Sequence, residues 1–151
     1  MPIEITRTSV HCDERWHDYF RMIVSPNREN AMETPFATMY QAFFTFACIG
    51  KHHDTFIPLK SRKEIFLAQY FDRERHVPVL VSLAYDRLTS EGVAAMEAFK
   101  RVTSSNGFVP IVEGWANGGV GIFKEELERR GNPSPSLALA DLVMHEAKRL
   151  R

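Results

Sequence analysis

Residues 34–50 read TPFATMYQAFFTFACIG, and this stretch decides the fold. Thr34 followed by Pro35 is a helix N-cap with proline at the first helical position, where a missing N–H costs nothing. Gly50 supplies a C-cap, which leaves about four turns of helix between the two signals. Phe36, Met39, Tyr40, Phe43, Phe44, Phe46, Ala47 and Ile49 cover more than one stripe, so burial on most sides is expected. This helix is the expected centre of the core.

Working outward, Ser61-Arg62-Lys63-Glu64 has capping-box spacing ahead of Ile65, Phe66 and Leu67, which predicts a second helix starting near Arg62. Pro78 opens a third segment with Val77, Leu80, Val81, Leu83, Ala84 and Leu88 apolar. Its β-branched residues also suit a strand, but the spacing and a new start signal at Ser90-Glu91 favour helix. Val93, Met96, Phe99 and Val102 repeat every three residues until Ser104-Ser105-Asn106-Gly107 stops them.

The stretch 108–130 contains Gly114, Gly118, Gly119 and Gly121, each costing a helix interior about 1 kcal/mol relative to alanine. Trp115, Ile122, Phe123 and Leu127 nevertheless keep helical spacing. Either one helix packs its glycine face closely on a neighbour, or two helices meet at Asn117-Gly118; the second reading is preferred. Gly131 ends this segment, and Ser134-Pro135 opens a last helix with Leu139, Leu142, Val143, Ala147 and Leu150 apolar. The first ten residues alternate weakly and read as a short strand or an arm. The expected fold is mainly α, a compact single-domain bundle of about six or seven short helices. Residues 1–33 form an N-terminal arm and first helix, and residues 34–151 the helical core of the same domain.

The 151 residues carry 19 basic and 19 acidic side chains, a balance that argues against a protein coated in positive charge for nucleic acid. The neutrality is a sum of unequal parts: residues 1–34 hold six acids and four bases, residues 35–90 five acids and seven bases. No window approaches the roughly 18 apolar residues of a membrane span, and no signal peptide is evident, so a cytoplasmic location is expected. Cys12 and Cys48 form no C-x-x-C pair. Cys48, among aromatics, reads as a small apolar residue that stays reduced.

Chemistry-bearing motifs are few. His11, Cys12 and His17 lie close in sequence, and His52-His53 are adjacent. No histidine pair has the i,i+4 spacing that turns two rings toward one metal, so loop histidines are the better reading. GWANGGVG lacks the lysine and hydroxyl of a phosphate loop and the G-x-G-x-x-G spacing of a dinucleotide fold. No nucleophile elbow is present, and no cofactor is implied. The remaining candidate is basic: Lys51, His52, His53, Lys60, Arg62 and Lys63 face only Asp54, a formal charge of +3 over residues 51–63. With Arg62 and Lys63 placed at a helix N-terminus, this segment would suit a phosphate backbone or an acidic partner; a solvated loop is the plainer alternative. Lys148, Arg149 and Arg151 read as an ordinary basic helix end.

A resemblance adds context. Pro35-Phe36, a helix ending Ile49-Gly50-Lys51, then Ile57-Pro58-Leu59, and later Trp115-Ala116-Asn117-Gly118-Gly119 leading into Ile122-Phe123 resemble the small accessory proteins of bacterial DNA phosphorothioation (dnd) clusters, dnd system-associated protein 4. The resemblance spans residues 34–143, with A-N-G-G its sharpest element; Trp115 stands where tyrosine is expected, and residues 1–33 lie outside. It implies work beside the sulfur-modification and restriction machinery that separates self DNA from phage DNA, and it brings no catalytic residue set. The function expected is that of a non-enzymatic adaptor binding larger protein components of a phosphorothioation-dependent restriction complex. A turn at Trp115, Asn117, Gly118 and Gly119 and the basic segment are its expected contact points. The alternative is a DNA-binding subunit or transcriptional regulator that touches duplex backbone through residues 51–63. An enzyme, with His11, Cys12 and His17 converging on a metal, comes third.

Overall fold

The computed structural model describes residues 8–25, 34–131 and 134–149. Residues 1–7 of the expected arm, Leu150 and Arg151 lie outside the described residues. In chain order the elements are β1 (Ser9–Asp13), α1 (Glu14–Met22), α2 (Met39–His52), β2 (Arg62–Leu67), a single 3-10 turn (Ala68–Tyr70), α3 (Val77–Ser90), α4 (Ala95–Thr103), α5 (Val109–Arg129) and α6 (Pro135–Arg149). The fold is mainly α, with six α-helices and one two-stranded sheet among the described residues.

The central helix α2 starts later than its first signal. Phe36 is held extended by a bridge to Val24, with Ser25 N–H donating to the Phe36 carbonyl at 2.9 Å, so Thr34-Pro35 cannot open a helix. Thr38 is the N-cap: its Oγ1 accepts from Gln41 N–H, while Gln41 Oε1 reaches back to Ala37 N–H. Gly50 does not end the helix either. The chain turns at Asp54, whose φ of 51° is the left-handed conformation that Asp tolerates, and Thr55 N–H closes onto the Gly50 carbonyl. The burial expected of α2 is present, with Phe43, Phe46 and Ala47 fully enclosed. Phe46 packs against Phe20, Phe36 and Phe123 at 5.4–5.8 Å between ring centroids.

Residues 62–67 form a strand, not the expected helix. β2 pairs antiparallel with β1, Val10 opposite Phe66 and Asp13 opposite Arg62, with a register shift between Val10 and His11. The two side chains of the apparent capping box look across this sheet instead of along a helix: Ser61 Oγ donates to Glu14, and Glu64 accepts from Ser9 Oγ. Val10, Cys12 and Phe66 point into the core.

α3 fits its expected position. Ser90-Glu91 closes that helix rather than opening the next, and Gly92 follows at φ 92°. In α4 a three-residue period drifts around a 3.6-residue helix, so Val102 is buried together with Ala98 while Met96 and Phe99 are exposed. Ser134 Oγ caps α6 as its sequence predicts.

α5 is one unbroken helix of 21 residues, which overturns the preferred two-helix reading. Its glycines are where backbone lies on backbone. A Cβ on Gly119 would stand 1.7 Å from the Phe46 carbonyl oxygen, and one on Gly118 1.9 Å from that of Thr55. α2 and α5 thus meet without side chains between them. One cluster of buried apolar residues runs through every layer, from Val10 to Ala138.

Candidate functional site

The expected basic segment is split by the fold. Lys51 lies in the last turn of α2, His53 caps that helix, and Arg62 and Lys63 sit on β2 rather than at a helix N-terminus, so the anion-favouring dipole expected there is absent. Lys51 Nζ forms an ion pair with Asp86 on α3 and lies 5.2 Å from the Trp115 ring centroid. Arg62 turns inward. Lys60 and Lys63 are exposed; the Lys60 backbone N–H is held by Asp13 at 3.0 Å. His52 and His53 are exposed with their rings edge to face at 5.2 Å.

The structure brings together a group that the sequence reading missed. Glu113, on α5, is fully buried. Its Oε1 accepts from Arg62 Nη2 at 2.6 Å, and its Oε2 accepts from the backbone N–H of His11 at 2.6 Å and lies 3.2 Å from His11 Nδ1. One carboxylate therefore ties β1 and β2 to the central helix. Burial pushes the Glu113 carboxyl above the usual carboxylate range, while the His11 N–H and the Arg62 guanidinium oppose that rise. A signal for it exists: Glu113 is the single charged residue between Phe108 and Phe123. A lone acid in so apolar a run must find a partner to be buried.

Trp115, Asn117, Gly118 and Gly119 lie in the buried interior of α5, not in a turn. Trp115 stacks edge to face with Phe56 at 5.1 Å, and the Arg87 guanidinium covers Phe56 at 4.0 Å. Asn117 Nδ2 donates to the Ile57 carbonyl at 2.9 Å, and Ile57 N–H donates to the Gly114 carbonyl, so residues 55–57 are fastened along α5.

His11, Cys12 and His17 do not converge. His11 faces Glu113, Cys12 turns into the core on the opposite face of β1, and His17 sits beside Asp18 on α1. Burial pushes the Cys12 thiol up to about 12 and raises that of Cys48 as well, the reverse of activation. Among the described residues no group of three His, Cys, Asp or Glu side chains is placed to hold a metal, and no helix is long and apolar enough to cross a membrane.

Apolar side chains are left outside the core on α6. Ala138, Leu139 and Leu142 face inward, whereas Leu137, Val143 and Met144 are more than half exposed. α6 is therefore apolar on two faces, of which α5 covers one.

Residues 17–150 match the family model described as DNA sulphur modification system-associated protein 4. The match begins within α1, ahead of Thr34, and takes in chain that the sequence resemblance left outside. No curated protein and no solved structure matches the chain.

Proposed function

The chain belongs to the DNA sulphur modification system-associated protein 4 family, and from that premise we propose that it is a non-enzymatic adaptor. It joins protein components of a phosphorothioation-linked restriction system that acts against phage DNA. The observation that carries this reading is the second apolar face of α6. Leu137 and Met144, two turns apart, offer water a stripe left uncovered among the described residues. Protein partners bury such faces; nucleic acid does not seek them.

The charge arrangement supports the same choice over direct DNA binding. Of the four cationic side chains in residues 51–63, Lys51 and Arg62 are engaged by Asp86 and Glu113, which leaves Lys60 and Lys63 facing solvent. Two phosphate contacts make a weak DNA ligand, because affinity from counterion release grows with the number of phosphates neutralised.

Size-exclusion chromatography of the purified chain, mixed with each protein of its sulphur-modification system, tests the reading. The expected result is a complex with at least one of them that is lost in Leu137→Glu/Met144→Glu. If every mixture elutes as separate proteins while the chain shifts a duplex oligonucleotide at about 50 mM salt, and Lys60→Glu/Lys63→Glu abolishes that shift, the DNA-binding alternative replaces the adaptor.

A further inference from the structure

A depression of about 370 Å³ opens between α1, residues 55–57 and α5, at the small end of the range typical of ligand pockets. Gly118 and Gly121 lie on its α5 side, and Trp16, Ile57 and Ile122 line it with apolar surface. Gly118 is explained by the fold, since a Cβ there would strike the Thr55 carbonyl. Gly121 is not: its nearest neighbour to an added Cβ is Trp16 at 3.9 Å, an ordinary contact. A helix-interior glycine destabilises relative to alanine, so this chain gives up helix stability at 121 for space that none of the described residues fills. That space is the depression.

Its rim carries charges that the fold leaves unspent. Arg15, Lys124, Glu125 and Glu128 border the opening, and none has an ion-pair partner among the described residues. Both cations are propped on rings, Arg15 4.8 Å from the Trp16 centroid and Lys124 5.1 Å from that of Tyr19. Glu126, one residue away, contrasts with them by holding both Arg129 and Arg130. Two cations beside two carboxylates sum to zero and give a polyphosphate backbone no net attraction, whereas they complement a segment that bears both signs itself.

We propose that the depression between α1 and α5 seats a short peptide segment of a partner protein, with one apolar side chain over Gly121 and residues of opposite charge paired to the rim. The proposal rests on the adaptor reading and adds to it a second, narrower contact site.

Overlapping 15-residue peptides that cover the proteins of the sulphur-modification system, fluorescently labelled and titrated with the full chain, provide the test. At least one peptide is expected to bind, with Gly121→Leu weakening it tenfold or more and Lys124→Glu weakening it at the rim without filling the floor. Gly121→Ala, which keeps most of the space, serves as the folding control and should melt no lower than the unaltered chain. Binding of no peptide, or binding indifferent to both Gly121→Leu and Lys124→Glu, overturns the proposal, as does a duplex oligonucleotide competing for the same site. If no peptide binds in this way while full-length partners still form their complex with the unaltered chain, the groove alone fails and the adaptor stands. If no full-length partner binds the unaltered chain, the adaptor itself fails.

Discussion

Gly50 and Trp115 meet so closely that a Cβ on Gly50 would lie 1.9 Å from the Trp115 carbonyl oxygen. The obstacle is main chain, which no rotamer change can move aside. Gly50→Ala is therefore expected to force α2 away from α5 and to cost about 3 kcal/mol or more. Gly119→Ala, facing Phe46 from the other helix, should behave alike. Urea unfolding followed by circular dichroism checks both, and a loss below 1 kcal/mol for either would mean that the helices are not in backbone contact.

Gly121→Ala should act in the opposite direction. The site is helical and open, so the change removes unfolded-state freedom without a clash and is expected to add about 1 kcal/mol. A rise of several degrees in melting temperature is the readout, and a fall would show that the α1 side of the helix is tighter than its geometry.

Glu113→Ala leaves the His11 N–H without an acceptor and opens a void in α5, while Arg62, about half exposed, can turn its charge to water. The expected cost is about 2 kcal/mol. Glu113→Gln keeps one oxygen for His11 and should cost less. The pH dependence has a definite sign. A carboxyl whose folded-state pKa is raised holds its proton more tightly in the native protein, so stability rises as pH falls through that raised value and stops rising below the ordinary value of 4.5. Relative to Glu113→Gln, the unaltered chain should gain stability across that window; a relative loss there would contradict the burial of the group.

Glu126 titrates the other way. The side chains of Arg129 and Arg130 hold its carboxyl down at about 2, so the stability it contributes is present above 4.5 and is lost as pH falls toward 2. Arg130 also reaches Asp141 at 2.6 Å, which makes this network an ionic link between α5 and α6. Arg130→Ala is expected to cost no more than about 1 kcal/mol overall. Its effect should concentrate in α6, where hydrogen exchange becomes faster while α2 and α5 exchange as before.

The parts legible in the sequence are those whose partners lie within one helical turn. Ser134 and the α6 backbone, Pro78 at the start of α3, and the apolar wrap of α2 are all local, and each emerges where its residues predict. Ser61 and Glu64 mislead because their partners, Glu14 and Ser9, are 47 and 55 residues away, and nothing nearby reveals a second strand. The continuity of α5 is hidden for the same reason: the cost of its glycines is offset by contacts with Phe46 and Thr55, outside any local window. Of the candidate site, the positions of Lys60 and Lys63 on the surface were readable. The capture of Arg62 by Glu113 was not, because it depends on β2 being a strand that turns Arg62 toward α5.

What Glu113 grips on β1 is in part main chain. The 2.6 Å bond is made by the backbone N–H of His11, a group that every residue except proline offers. Position 113 is thus answerable to the fold for a side-chain acceptor, while position 11 is answerable only for not being proline. Among sister sequences the pair should drift apart in character, a carboxylate or amide persisting at 113 opposite a freely changing residue at 11. The imidazole of His11 would then be an occupant of that position rather than its reason.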